Sequence, residues 1–246
     1  MLSKWKFETT SMFLHVFAMV CMLCDHLWGT IVPGNDWLTC IGRLAYPIFA
    51  FLIVEGYYHT KDFKKYVKRL FLCALISEIP FNLATSGSWI YPYHQNVIWT
   101  FLIGLGCMHC MEKVRDRVLW KKVLVAVITV FTGIMLGLLT MVDYYHAGVL
   151  MVLVFYFFRE RNLLGYVGQF AGLWYINTGL LGGLGYELNI IGQTFFVHRQ
   201  SLALLALIPI WLYHGKQGLY NKTVRNIYYW FYPVHLFVLG LLAIIL

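Results

Sequence analysis

Acidic, basic and amide side chains interrupt the apolar stretches of this sequence at several places. Asp25 directly precedes His26, and Arg43 follows near the start of the next apolar stretch. A neutral imidazole can accept a proton at physiological pH, because its unperturbed pKa is about 6.5. A guanidinium carries a permanent positive charge and can stabilise an anion that develops beside it. These residue types together could carry out acid–base chemistry beside a fixed positive charge, so Asp25, His26 and Arg43 are candidates for a functional site.

Further polar residues occur at three later places in the apolar pattern. Glu78 and Asn82 are one helical turn apart, and Pro80 between them interrupts the helical hydrogen bonds. The other members are Gln95, Asn96, Asp143, Tyr144 and His146. Ionisable groups within membrane spans are costly unless paired or hydrated, so we expect all these groups to converge at one level near the outer face of the membrane. The alternatives are that helix ends are simply hydrated, and that Gln95 and Asn96 only cap a helix.

The composition excludes a soluble fold. Of the 246 residues, 60% are hydrophobic and 12% are charged, whereas soluble domains average about 25% charged residues. The mean hydropathy is +0.68. We therefore predict an all-α polytopic membrane helix bundle that forms a single domain over residues 1–246.

The apolar runs predict about nine transmembrane helices, since a helix needs about 20 apolar residues to cross the bilayer. The runs cover residues 10–32, 37–58, 66–85, 96–112, 119–141, 143–158, 163–181, 200–214 and 226–246. The Gly-rich stretch 182–199 is expected to be a loop or a re-entrant segment. The same pattern is compatible with eight or ten helices.

The formal net charge of +8 is explained by topology. With a cytoplasmic N-terminus, the cytoplasmic segments of a nine-span chain hold 17 of the 19 basic residues. These are Lys4, Lys6, Lys61, Lys64, Lys65, Lys68, Arg69, Lys113, Arg115, Arg117, Lys121, Lys122, Arg159, Arg161, Lys216, Lys222 and Arg225. The exceptions are Arg43 and Arg199, on the outer side. The basic excess therefore gives no support to a nucleic-acid partner.

The six cysteines lie in or beside apolar runs, where free cysteine behaves as a small hydrophobe. Two pairs have CxxC spacing, Cys21 with Cys24 and Cys107 with Cys110, and a metal site between them is conceivable. We expect no metal, because a tetrahedral site needs ligands that converge and these helices are not obliged to meet.

Seven motifs with polar residues follow one another along the chain. They are Met22-Leu23-Cys24-Asp25-His26, Ile41-Gly42-Arg43-Leu44-Ala45-Tyr46-Pro47, Val54-Glu55-Gly56-Tyr57-Tyr58-His59-Thr60, Ile76-Ser77-Glu78-Ile79-Pro80-Phe81-Asn82, Gln95-Asn96-Val97, Tyr144-Tyr145-His146-Ala147-Gly148-Val149 and Phe231-Tyr232-Pro233-Val234-His235-Leu236. In this order they resemble the TraX family, the membrane proteins that include the F-pilin acetylase. The resemblance covers most of the chain and is weakest between about 160 and 200. It implies a multi-pass protein of a bacterial-type inner membrane that transfers acetyl groups from acetyl-CoA.

The resemblance and the residues together suggest a role for each group. His26 is expected to be the general base that takes the proton of an acceptor amine or hydroxyl at the outer face, with its imidazole oriented by Glu78 or Asp143 from a neighbouring helix. Asp25 points about 100° away from His26 on a helix and is expected to pair with Arg43. The catalytic set is then His26, Asp25, Arg43, Glu78, Asp143 and His146. Asn82, Gln95, Asn96, Tyr144 and His235 are expected to contact the acceptor, with His235 nearer the inner half of the last span.

Acetyl-CoA is cytosolic, so its phosphates are expected to stay at the inner face while the thioester arm reaches through the protein. Lys61, Lys64, Lys65 and Arg69 could hold those phosphates, although inner loops carry such residues anyway. The expected partners are the lipid bilayer, acetyl-CoA and an acceptor. A pilin-like N-terminal amine, an envelope glycan hydroxyl and a small amphiphile all remain open as acceptors.

A proton-coupled small-molecule transporter is the alternative function. In that case Glu78, Asp143, Arg43 and the histidines would form a proton and substrate relay. The sequence shows no inverted internal repeat of the kind found in many transporters, and this disfavours the alternative.

Overall fold

The structure, a computed structural model, describes residues 8–190 and 192–246, and within them the chain is mostly helical. Lys4 and Lys6, which the sequence assigns to the cytoplasm, lie outside the described residues. The helices are α1 (Ser11–Thr30), α2 (Asp36–Gly42), α3 (Ala45–His59), α4 (Phe63–Ser86), α5 (Val97–Glu112), α6 (Leu119–Leu139), α7 (Tyr145–Phe157), α8 (Leu163–Trp174), α9 (Leu207–Trp211) and α10 (Lys222–Ile245).

Polar caps fix where several of these helices begin. Thr10, Asp62 and Asn96 each accept a hydrogen bond from a backbone N–H in the first turn of α1, α4 and α5. Asn162 and Asn221 do the same for α8 and α10. Such a cap satisfies one of the N–H groups that a helix leaves unpaired at its start. Helix starts are therefore set by these caps as well as by hydropathy.

The fold is all-α, as predicted, apart from one segment. Residues Gly185–Ile190 (β1) and Gln193–His198 (β2) form an antiparallel two-stranded hairpin. It falls within the stretch 182–199, which was expected to be a loop or a re-entrant segment. The glycines of that stretch supply positive φ at the connections, as at Gly183 before β1 and Gly192 between the strands.

Four helical segments of the described chain are long and apolar enough to cross a membrane. They are Ser11–Thr30, Asp36–His59, Leu119–Leu139 and Lys222–Ile245. Three more are apolar but shorter, namely Val97–Glu112, Tyr145–Phe157 and Arg199–Trp211. The chain is thus a helical membrane protein, with four spans of full length where the sequence predicted about nine.

The core lies between α1, α3, α4, α5, α7 and α10. Its fully buried side chains include Leu14, Ile48, Leu105 and Met151, from four of these helices. By contrast, α6 exposes large apolar side chains such as Val127 along most of its length. An apolar surface of that kind is suited to contact with lipid.

Polar contacts join helix ends at both ends of the bundle. One end, called the His26 end here, contains Asp25, His26 and Arg43, and there the backbone of Gln95 bonds to the turn that precedes α7. The other, called the basic end, contains the start of α4 and the ends of α3, α5 and α7. There Arg159 Nε donates to Glu55 at 3.0 Å. The sequence-based topology, in which segments lie alternately inside and outside, also puts the helix ends that meet at each end of the bundle on one side of the membrane.

Candidate functional site

Arg43 is the centre of a hydrogen-bonded network at the His26 end. Its Nη2 forms an ion pair with Asp25 Oδ1 and donates to Thr39 Oγ1 at 3.0 Å. Thr39 Oγ1 donates in turn to Asp25 Oδ1 at 2.7 Å, and Arg43 Nε donates to the Thr39 carbonyl at 3.2 Å. The guanidinium and carboxylate are therefore held from several directions. The expected pairing of Asp25 with Arg43 is present.

A buried amide chain holds the other side of the guanidinium. Arg43 Nη1 donates to Gln200 Oε1 at 3.1 Å, and Gln200 Nε2 donates to Asn177 Oδ1 at 2.9 Å. Asn177 Nδ2 donates to the Leu173 carbonyl at 2.8 Å, within a segment that changes from α8 to a π-helical turn. The sequence analysis missed Thr39, Gln200 and Asn177. These residues could have been found in the sequence, because each is an amide or hydroxyl side chain within a predicted apolar run.

Gly42 allows α1 and α2 to approach closely enough for this network. A Cβ added at Gly42 would lie 2.4 Å from the Cβ of Asp25 and 2.6 Å from its Oδ1. Neighbouring heavy atoms do not tolerate such distances. Glycine at this position therefore permits the ion pair between Asp25 and Arg43.

His26 contacts a second histidine from the last helix. His26 Nδ1 and His235 Nε2 are 2.7 Å apart, and His235 Nδ1 lies 2.6 Å from the Phe231 carbonyl oxygen. The Phe231 ring stacks on the His235 ring with centroids 4.6 Å apart. Two expectations are wrong: His26 Nδ1 bonds to His235 rather than to Glu78 or Asp143, and His235 lies at the same level as His26.

Counting from the true helix starts explains the second error. The apolar run begins at 226, whereas α10 begins at Lys222, capped by Asn221. At 1.5 Å per residue, His235 lies about 20 Å along α10 and His26 about 22 Å along α1. The two imidazoles therefore reach a common height.

Glu78 is held by α5. Asn96 Nδ2 donates to Glu78 Oε2, and Trp99 Nε1 donates to the same oxygen at 3.0 Å. Asn96 also caps α5, as the alternative interpretation expected. Glu78 Oε1 and Asn82 Oδ1 are buried and have no hydrogen-bond partner in the described chain. These two acceptor atoms belong to residues one helical turn apart on α4.

Asp143 lies in the turn before α7 and pairs with a residue that the sequence analysis missed. His94 Nε2 is 3.3 Å from Asp143 Oδ1. This hydrogen bond is the main cause that raises the pKa of His94 above its usual 6.5. His94 could have been found in the sequence, because it lies directly before the candidate residues Gln95 and Asn96. Asp143 also interacts electrostatically with Arg43, which connects it to the network above.

The remaining predicted members have different surroundings. Tyr144 has a left-handed backbone (φ 60°) and stacks on Tyr46 with ring centroids 4.2 Å apart. Asp143 and His146 do not share a helix face, because α7 begins only at Tyr145. His146 packs its backbone against Gly137 of α6, and its Nδ1 has no partner among the described residues. Gln95 Nε2 donates to the Pro92 carbonyl at 2.9 Å, away from His26.

A cavity of about 680 Å³ extends from the basic end into the bundle. Lys61, Lys65 and Arg69 lie in its wall, whereas Lys64 does not. Deeper wall residues are Met19, Met22, Cys73, Val97, Phe101, Phe231 and Tyr232. Met22 lies one helical turn before His26, and Phe231 and Tyr232 contact the His235 ring. The cavity therefore connects the basic end with the surroundings of the two histidines.

Arg69 is the cation placed deepest in this cavity wall along α4. Its Nε is buried without a hydrogen-bond partner in the part of the chain described, and its guanidinium carbon lies 6.0 Å from the Tyr229 ring centroid. Arg225 of α10 lines the same cavity, and the sequence analysis gave it no ligand-binding role. Lys65 lies 3.2 Å from Asp62, so part of its charge is neutralised. The wall carries an excess of positive charge suited to an anionic ligand.

A second cavity, of about 490 Å³, opens at the His26 end. It is lined by Thr85, Ser86, Tyr91, Tyr93, His94 and Tyr145. His94 links it to Asp143. Along α4, Glu78 and Asn82 lie between residues that line the first cavity and residues that line the second.

Among residues 8–190 and 192–246, no three His, Cys, Asp or Glu side chains are arranged to hold a metal ion. The cysteines in that part of the chain are free thiols.

These features define a helical membrane protein that has a histidine pair and a buried arginine–carboxylate network near the end of a basic cavity. The model of the family described as "TraX protein" matches residues 11–243, and the chain belongs to that family. It is also similar to a "Probable fimbrial assembly protein FimC, serogroup H1" of Dichelobacter nodosus. The two are 25% identical, and the match covers 92% of each chain. No solved structure matches the chain.

Proposed function

We propose that this protein is a membrane acetyltransferase that moves an acetyl group from acetyl-CoA to an amine or hydroxyl of an acceptor. The observation that carries this proposal is the cavity that runs from the basic end to Phe231 and Tyr232, whose rings contact His235. A thioester needs a channel for a long flexible arm, cations for its phosphates and a base at the far end. The chain supplies residues suited to each of these needs.

The donor would enter from the basic end. Lys61, Lys65, Arg69 and Arg225 are the cations of the cavity wall that would meet phosphates, and Arg69 has an unpaired buried donor. Charge-assisted hydrogen bonds to phosphate are among the stronger polar contacts. Lys64, which was also expected to hold phosphate, lies outside the wall and is not part of the proposed phosphate site.

Arg43 would stabilise the oxyanion. A guanidinium has five N–H groups. Four of them are donated to Asp25, the two Thr39 oxygens and Gln200, which leaves one Nη1 hydrogen without a partner in the described chain. Such a preorganised donor is worth about 10²- to 10³-fold in turnover. Asp25 would hold the guanidinium in place.

His26 would act as the base through Nε2. It would take the proton of the acceptor as the acceptor nitrogen or oxygen attacks the thioester carbon. The carbon–sulfur bond then breaks, and the coenzyme A thiolate leaves with the proton returned from His26. No covalent intermediate on the protein is required.

The acceptor would approach from the cavity at the His26 end. Glu78 Oε1 and Asn82 Oδ1 are unpaired acceptor atoms suited to a primary amine, and Asp143 and Tyr144 lie near Arg43. The name of the D. nodosus relative concerns fimbrial assembly, and the family that the chain resembles includes the F-pilin acetylase. We therefore favour an N-terminal amine over a hydroxyl. Gln95, Asn96 and His146 would support the site structurally rather than touch the acceptor.

We further propose nine membrane crossings in a bacterial-type inner membrane, with a cytoplasmic N-terminus and a single domain. The five additional crossings are α4, α5, α7, α8 with its π-helical turn, and the segment Arg199–Trp211. This arrangement would put the basic end in the cytoplasm, where acetyl-CoA is made available. Nine crossings also agree with the polar contacts that join helix ends at the His26 end and at the basic end.

The test is acetyl-CoA turnover by the purified protein in detergent, followed by release of free thiol with a peptide amine as acceptor. We expect turnover in the unaltered protein and none in His26→Ala. Turnover by Arg43→Lys should be about 10²-fold lower, because lysine cannot reproduce the several N–H donors of a planar guanidinium. Arg199→Lys is the matched control, since Arg199 lies at the same end and bonds to Asp36 instead. A folded protein that neither binds nor turns over acetyl-CoA would overturn the proposal and favour the transporter.

A further inference from the structure

The hydrogen bond between His235 and the Phe231 carbonyl determines where the proton of His235 lies. A carbonyl oxygen has no hydrogen to donate, so at 2.6 Å His235 Nδ1 must carry the proton. In a neutral imidazole, the other ring nitrogen then has a lone pair and accepts. His235 Nε2 is therefore the acceptor of the pair that it forms with His26.

The same reasoning then determines the tautomer of His26. Two lone pairs at 2.7 Å would repel, so His26 Nδ1 must carry a proton and donate it to His235 Nε2. The opposite arrangement would require a doubly protonated, cationic His235. That ring is 8% exposed and stacks on Phe231, and its hydrogen bonds within the described chain go to His26 and Phe231 rather than to a carboxylate. Burial without a counter-ion disfavours the cation.

The backbone of α10 around His235 is supported from α4. Pro233 has no N–H, so the Tyr229 carbonyl loses its helical donor. Cys73 of α4 supplies a replacement, because its Sγ donates to the Tyr229 carbonyl at 3.4 Å. His235 therefore projects from a part of α10 that is held against its neighbour.

We propose that His235 is a positioning residue that holds His26 as the Nδ1–H tautomer, so that the lone pair of His26 Nε2 is the one available as the base. This inference rests on the proposed acetyltransferase function. When Nε2 takes the proton of the acceptor, the positive charge on His26 is shared through Nδ1–H with a neutral imidazole instead of a carboxylate. A neutral acceptor stabilises this charge less, which favours return of the proton to the departing thiolate.

Two amide substitutions of His235 separate this role from simple packing. In His235→Gln, the terminal amide oxygen can occupy the level of Nε2 and accept from His26. In His235→Asn, the amide reaches only the level of Nδ1 and can bond to the Phe231 carbonyl alone. We expect His235→Gln to keep kcat within about fivefold of the unaltered protein, whereas His235→Asn should lose about 10²-fold or more. The KM for acetyl-CoA should change little in either variant.

Nuclear magnetic resonance of ¹⁵N-histidine-labelled protein provides a readout that does not depend on turnover. Signals that disappear in His26→Ala belong to His26, and they should show a protonated Nδ1 and an unprotonated Nε2. His235→Asn should convert them to a mixture of tautomers, while His235→Gln should leave them unchanged. Melting temperatures in detergent identify any variant that has failed to fold.

The outcomes distinguish the two proposals. No acetyl transfer by the unaltered protein would overturn the proposed function, whatever the tautomer of His26. Transfer that requires His26 but is equal in His235→Asn and His235→Gln would overturn only the positioning role. A protonated Nε2 on His26 in the unaltered protein would overturn it as well.

Discussion

Arg43 and Gln200 are hydrogen-bonded at 3.1 Å, although they are 157 residues apart in the chain. Replacing Gln200 with leucine removes this acceptor and leaves Asn177 without its donor. We expect kcat for acetyl transfer to fall about tenfold, because the guanidinium loses one of its supports. The free energy of unfolding should fall by about 1–3 kcal/mol, which is typical when buried polar groups lose partners.

Gln169 provides a matched control for that variant. It is also a buried glutamine, and it accepts from Trp211 Nε1 at 2.8 Å and donates to the Phe158 carbonyl. Gln169→Leu should cost similar stability and leave kcat unchanged in the folded fraction. Equal losses of kcat in both variants would contradict a specific role of Gln200 in placing Arg43.

The close approach at Gly42 gives a second prediction. Gly42→Ala should push Asp25 away and separate it from Arg43, because the added methyl has no room. We expect a loss of about 1–3 kcal/mol in stability and a much larger fractional loss of turnover. Gly29→Ala near the end of α1 is the control, since a Cβ there meets nothing within 4 Å. Full activity of Gly42→Ala in the same thiol-release assay would show that the ion pair is dispensable.

The cavity at the basic end gives a third prediction, about substrate affinity. Arg69→Gln should raise the KM for acetyl-CoA roughly tenfold and change kcat little, since the loss of one charge-assisted contact affects binding alone. Lys64→Gln removes the same charge only five residues away, from an exposed side chain outside the cavity wall. It should leave KM near its original value. If both variants raise KM equally, general surface charge rather than the cavity attracts the donor.

His94 gives a fourth prediction, on pH and stability. Asp143 raises the pKa of His94, with a further contribution from Glu78, so the folded state favours the protonated imidazole. The stabilisation that this pair gives the folded state is complete below about pH 6.5, the usual pKa of histidine. It is lost as the pH rises through the raised pKa of His94. The melting temperature of the unaltered protein should therefore exceed that of His94→Gln below pH 6.5, and the difference should disappear at alkaline pH.

The size of this difference should be small. An ion pair whose side chains are 33% and 30% exposed is partly screened by solvent and contributes about 0.2–1 kcal/mol, which corresponds to a few degrees at most. His214→Gln is the control, because that exposed side chain bonds only to the Leu212 carbonyl within the described chain. A difference for His94→Gln that does not vary with pH would indicate lost packing on Tyr145 and Phe81 instead.

Sequence reasoning was sufficient for features that depend on local pattern. The apolar runs predicted most of the helices, and the spacing of Asp25 and His26 on one helix predicted that Asp25 would turn towards Arg43. Asn96 was expected to contact the acceptor, and its role as a helix cap was the alternative that the structure shows. Each of these predictions depends on residues that are a few positions apart in the sequence, or on the rotation of about 100° per residue in an α-helix.

Features that depend on where helices meet could not be predicted. The contact between His26 and His235 requires both the true start of α10, set by Asn221, and the packing of α10 beside α1. The amide chain of Gln200 and Asn177 joins segments on either side of the β-hairpin, whose strands are not recognisable from hydropathy. Glu78 bonds to residues at the start of α5, whereas His26 bonds to His235 of α10. These separate environments depend on which helices pack beside each other, and the sequence does not show that.

The two cavities share no lining residue, and polar groups of α4 lie between them. This separation has a consequence for the energetics of the cell. A continuous aqueous path between the two faces would let protons and ions leak and would dissipate the electrochemical gradient. A short acyl group presented on a flexible arm needs no such path, because only the two reacting ends have to meet. Vesicles that contain the protein should therefore keep their proton gradient during the proposed transfer of acetyl groups from one side to the other.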